Sequence, residues 1–160
     1  MFLKIVIAFI FSINVFAQQN EKPFPYRVES EIWLNNYRNL KTDSERLSLI
    51  KNKIYSDTLY YNYKKRMILD NKVKDSTKHI CKVLIYLKND NDFIDLDLQE
   101  IPVLKNFIDD LNLKKISSIR LLEYPENITS FGTNGLCGVI YLECSQRLMK
   151  KLKKKNKVNR

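Results

Sequence analysis

Apolar and polar positions change their period along this chain, and the changes mark out its elements. Trp33, Tyr37 and Leu40 recur at helical spacing from Ser30 onward. Leu47, Ile50 and Ile54 do the same after a capping-box signature, Thr42 followed by Glu45. A third amphipathic segment, residues 58–69, is expected behind Asp57 as its cap, with Leu59, Tyr63 and Met67 on one stripe. From residue 80 the period falls to two. Cys81, Val83, Ile85 and Leu87 share one face of a strand, and Ile80, Leu84 and Tyr86 the other, which predicts a central strand with both faces covered. A polar turn at 89–92 and the alternation of Ile94, Leu96 and Leu98 with Asp95 and Asp97 complete a hairpin. Pro102 then opens a helix striped by Ile101, Leu104, Phe107, Ile108 and Leu111. Residues 116–124 and 139–144 read as strands. The order predicts an α+β domain in which N-terminal helices pack on a small mixed sheet built as strand-strand-helix-strand-strand. Strand 116–124 is expected to form a strand-helix-strand unit with an earlier strand.

All three glycines of the chain, Gly132, Gly135 and Gly138, lie in the turn between those last two strands, so backbone freedom is concentrated there. The surrounding residues carry a resemblance. Ile116, Ser118, Ile119, Leu121 and Leu122, then Phe131-Gly132, then Gly135, Gly138, Val139 and Ile140 resemble the C-terminal end of the plug domain of TonB-dependent outer-membrane receptors. In that pattern a strand leads through an aromatic-glycine turn to a final strand. The resemblance spans residues 80–146. It departs from the pattern at Pro125-Glu126-Asn127-Ile128-Thr129, where the family has an Ala-rich helical turn, and at Cys137. It implies a site at the outer membrane and a role in binding or assembly. With no barrel expected after the last strand, transport is not implied, and what remains is a freestanding plug-like domain whose sheet could accept a partner strand from an envelope protein.

Export is expected from the N-terminus. Lys4, an apolar run from Ile5 to Phe16 and the small-residue site Val15-Phe16-Ala17 have the layout of a signal peptide. The resulting organisation is 1–17 signal peptide, 18–29 loose leader, 30–78 helical region, 79–146 plug-like region and 147–160 basic tail. Localisation would be the periplasm, the outer membrane or the medium. The net charge of +10 is concentrated in that tail: Arg147, Lys150, Lys151, Lys153, Lys154, Lys155, Lys157 and Arg160 face no acid and supply eight of the ten units. Such a tail suits an anionic membrane or glycan surface, the alternative function being attachment through it, or serves as a solvated, self-repelling terminus. An exported protein rarely meets nucleic acid, so none is expected as partner.

Catalytic chemistry is sparse. His79, the one histidine, with Cys81, Cys137 and Cys144 has no standard zinc spacing, and His79 with Cys81 lacks an orienting third group. Asp90, Asp92, Asp95 and Asp97 lack the glycine and distal glutamate of a calcium loop. The tyrosines and cations of 60–66 could stack on bases or sugar rings, but their spacing fits a half-buried helix better. No enzyme, metal or cofactor is implied. A disulfide is the expected use of the thiols in an oxidising compartment. Cys81 would join Cys137 if its strand runs parallel to the last one, the first choice, or Cys144 if antiparallel.

Overall fold

The computed structural model describes residue 23 and residues 25–60, 80–90 and 92–158, the last four of these by their backbone alone. The elements in chain order are α1 (Arg27–Asn39), α2 (Asp43–Ser56), β1 (Leu84–Lys88), β2 (Phe93–Asp95), α3 (Lys105–Asp109), β3 (Ile116–Leu122), α4 (Glu126–Phe131), β4 (Val139–Cys144) and α5 (Gln146–Val158). They form an α+β fold around a four-stranded mixed sheet ordered β2-β1-β4-β3. The two central strands, β1 and β4, run parallel, with Leu84 opposite Val139 and Lys88 opposite Glu143. β2 and β3 each pair antiparallel with one central strand.

The capping box predicted at Thr42 starts α2. Its hydroxyl accepts the Glu45 backbone N–H at 3.2 Å, and the Glu45 carboxylate accepts the Thr42 backbone N–H at 3.0 Å. The hydrogen bond from the Thr42 side chain holds the Glu45 carboxyl below its ordinary pKa. α1 begins earlier than its apolar stripe suggests. Cys81 donates its N–H to the Pro25 carbonyl at 2.8 Å, Tyr26 bridges Ile80, and the buried Ser30 hydroxyl donates to the Cys81 carbonyl at 2.8 Å. The end of the expected leader is thus tied to the approach to β1, because the backbone groups of this non-helical approach need partners.

The strand period sorts the core into two clusters. Val83, Ile85, Leu87, Ile94, Leu96, Ile140, Leu142 and Cys144 lie under Leu34 and Tyr37 of α1, Leu47, Ile50 and Ile54 of α2, Ile108 of α3, and Met149 and Leu152 of α5. On the other face Leu84, Tyr86, Leu122 and Val139 form a smaller cluster, completed by Phe131 of α4 and Tyr141. Phe131 stacks on Tyr86 with ring centroids 5.2 Å apart. All the long helices described therefore share one face, and α4 with its glycine turn serves the other.

Four expectations are corrected. Asp57 does not cap a third helix: it is the C-cap of α2, and one turn of 3-10 helix, Asp57–Leu59, follows. The rest of that expected segment, with Tyr61, Tyr63 and Met67, lies outside the described residues, as does His79. Among the described strands β3 pairs with β4 alone and not with an earlier one, because β4 occupies the place beside β1. A short helix, α4, stands between β3 and β4 where a plain turn was expected. Finally, the basic tail from 147 is no loose terminus but most of α5, since Met149 and Leu152 recur at helical spacing and are buried in the main cluster.

Candidate binding surfaces

The glycine turn uses its three glycines for three different reasons. Gly132 has φ +58° at the end of α4, a conformation that L side chains rarely adopt, with open space around it. Gly135 has no such angle, but a Cβ there would stand 2.4 Å from the Asn127 carbonyl oxygen. Gly138 has φ +89° and a Cβ would meet Leu34 at 3.2 Å. Asn127, one of the residues that depart from the plug pattern, is buried and donates from its side-chain amide to the Gly135 carbonyl at 2.9 Å. These features brace a tight return from α4 into β4.

Cys81 and Cys137 form a disulfide with their Cα atoms 5.9 Å apart. It joins the approach to β1 to the approach to β4, so the covalent link lies across the parallel pair. Cys144 is a buried free thiol, and burial pushes its pKa up, which keeps it protonated and unsuited to nucleophilic attack.

At the other side of the core, two ion pairs are withdrawn from water. Lys53 reaches Asp57 at 2.5 Å and Lys82 reaches Asp97 at 2.6 Å, with no side chain of the four more than 10% exposed. Gln99 fastens the same corner by donating its side-chain amide to the carbonyls of Asp57, Thr58 and Tyr60. Burial raises the Asp57 carboxyl above its ordinary pKa, with Lys53 pulling the other way. The cleft lined by Asp57, Lys82, Asp97, Ile54 and Val83 is no larger than a water molecule needs. The cluster fixes the end of α2 against the sheet; it has no room for a substrate.

Neither ion pair is expected from the sequence, where Asp57 reads as a helix cap and Asp97 is weighed only as a calcium ligand. The signal for one pair was present, since Lys53 and Asp57 are four apart on one helix. The second pair needs the tertiary fold. Of the acids considered for calcium, Asp97 is taken up by Lys82, and Asp92 forms an ion pair with Lys153 of α5. Among the described residues no three His, Cys, Asp or Glu side chains converge as a metal would require.

Two surfaces remain. The first is the outer edge of β3. This strand has seven residues, sits at the end of the sheet and, among the described residues, pairs only with β4. The other edge strand, β2, has three. Ser117 and Arg120 of β3 are exposed. The register against β4 shifts between Ile116 and Ser118, which leaves Ser117 as a bulge.

The second surface is α5. Arg147, Lys150, Lys151 and Lys154 are exposed, Lys153 is half-buried in its pair with Asp92, and the helix contains no acid. The side chains of Lys155 and Lys157 lie outside the described residues. No described helix is long and apolar enough to cross a membrane. No protein-family model, curated protein or solved structure matches this chain.

Proposed function

We propose that this is an exported, non-enzymatic binding protein of the cell envelope, with a plug-like domain that takes its partner as an added strand on the outer edge of β3. The observation that carries the reading is the contrast between the two sheet edges. Proteins protect exposed edges by short strands, bulges or charges; β2 is short, whereas β3 keeps a regular run from Ser118 to Leu122 beyond its bulge at Ser117, with Arg120 as its one charge. An unpaired edge offers a row of backbone donors and acceptors, and an extended segment of another protein can satisfy them. The disulfide supports export, because such links persist in oxidising compartments. The water-sized cleft and the protonated, buried Cys144 support binding over turnover.

Ser117→Pro tests this. Proline is tolerated at a bulge on an edge strand, removes one N–H and places a ring where an added strand would lie, while the pairs from Ser118 to Leu122 with β4 stay intact. Cross-linking in the envelope fraction should join the wild-type protein to a partner. The variant, with an unchanged thermal transition, should lose that product. Equal cross-linking of both proteins, or recovery of the wild type from the cytosol, rejects the reading.

A further inference from the structure

The direction in which α5 presents its charge is set by its burial. At 100° per residue, Leu148, Met149 and Leu152 fall on one side of the helix, and the last two are buried in the core. Arg147, Lys150, Lys151 and Lys154 follow the i, i+3, i+4, i+7 rule and occupy an arc of about 100° nearly opposite that side. Docking of the apolar stripe therefore aims all four cations away from the domain. Lys153 lies off this arc, where Asp92 neutralises it. The exposed arc has no described carboxylate on its own helix to answer it.

Local stability does not explain this arrangement. Like charges three and four apart repel, and Arg147 stands in the first turn, where the helix dipole disfavours a cation. A surface helix selected for stability alone would mix signs and place an acid at Arg147. A pattern that violates local rules points to an external anion that repays it.

We infer that α5 is a second interaction surface, which seats the domain on an anionic lipid bilayer through headgroup phosphates. The reading is independent of the β3 edge. Three of the four cations are lysines, strongly hydrated point charges suited to a diffuse surface potential; bidentate recognition of one phosphate would favour arginine. The helix Gln146–Val158 holds no aromatic residue on which a base could stack, which disfavours single-stranded nucleic acid. The four charges lie within about 11 Å along the axis, close to one Debye length, so a charged plane attracts them together. Because the apolar side of α5 is occupied by the core, attachment is peripheral and electrostatic, without insertion.

The test uses the full mature chain and vesicles of phosphatidylcholine alone or with about a third phosphatidylglycerol, a composition that sets up a negative surface potential. Co-sedimentation should occur only with the anionic vesicles and should fall steeply as salt rises. Changing Arg147, Lys150, Lys151 and Lys154 singly to Gln should weaken binding about fivefold each, and all four together several hundredfold. All four positions are exposed and their charges repel, so the thermal transition should stay level or rise slightly. Absence of binding to anionic vesicles, equal binding by the fourfold variant, or tighter binding to heparin or duplex DNA than to vesicles would each overturn the inference. Should the fourfold variant unfold, the single variants decide on the same scale.

Discussion

Removing the cation of one buried pair provides a quantitative probe of the core. In Lys53→Met the Asp57 carboxylate loses a partner at 2.5 Å, in a site where burial already raises its pKa. Lys82 remains nearby but is engaged with Asp97, whose like charge repels that of Asp57. The stranded carboxylate can escape only by taking up a proton. For an aspartate with an ordinary pKa near 3.9, that costs about 4 kcal/mol at neutral pH, which bounds the loss from above. Breaking buried pairs on one side costs about 3 to 5 kcal/mol, so a loss of about 3 to 4 kcal/mol is expected from a total of roughly 5 to 15.

The sign of the pH dependence follows. The folded pKa lies above the unfolded one, so the native state keeps its proton when the unfolded chain has lost it, and stability falls as pH rises through that window. Acidifying from about pH 7 to about pH 5 should therefore recover up to about 1.4 kcal/mol per pH unit. Urea titration followed by the emission of Trp33, the one tryptophan, measures both quantities. The double variant Lys53→Met/Asp57→Leu, which removes both charges, should come close to wild type or exceed it. A deficit below about 1 kcal/mol in the single variant, or one that does not change with pH, would refute the account of a desolvated pair.

Three further outcomes follow from the same fold. Replacing Cys81 and Cys137 together by alanine should cost about 4 kcal/mol in the chain-entropy account of a loop that closes over a separation of 56 residues. A urea midpoint that does not move would show that the link adds nothing to the sheet. The native oxidised protein should show one thiol, Cys144, that alkylates slowly until denaturant exposes it. Gly135→Ala should cost about 1 to 3 kcal/mol, because its Cβ would meet a backbone oxygen at 2.4 Å and the turn must shift to receive it. A thermal transition within a degree or two of wild type would show that the turn has slack.

What could be read from the sequence was what depends on neighbours along the chain. Thr42 and Glu45 form their box within one turn, and the alternation around Ile85 and Ile140 assigns faces without knowledge of strand order. The disulfide partner could be read only conditionally: Cys137 follows from the parallel pairing of β1 and β4, and that pairing is a tertiary fact. The place of β3 was misjudged for the same reason, since periodicity does not say which strand a central strand will choose. The helix α5 is a different case. Leu148, Met149 and Leu152 carried a legible helical stripe, but the eight cations from Arg147 to Arg160 dominate the composition and hide it. Of the candidate surfaces, the cations of α5 could be named from the sequence and their direction could not. The β3 edge could be assigned only once β4 was seen to lie between β1 and β3.

The parallel union of β1 and β4 is the step from which both surfaces follow. Parallel neighbours need a long crossover, and here the crossover contains β2, α3, β3 and α4. β2 folds back on β1 and takes its outer side; β3 is left with the outer side of β4. The tight return through Gly135 and Gly138 brings β4 in between, and the Cys81–Cys137 link holds the approaches of the two central strands together. β3 is thereby kept at the rim with one side satisfied and, among the described residues, the other unpaired. The same pairing ends β4 at Cys144, and Ser145 opens α5 directly behind it, its hydroxyl accepting the Leu148 N–H at 3.3 Å. With no linker to swing on, α5 must lay Met149 and Leu152 on the nearest apolar face, and its cations face outward by geometric necessity. A strand edge unpaired among the described residues and a fixed array of positive charge are thus two products of one topological choice.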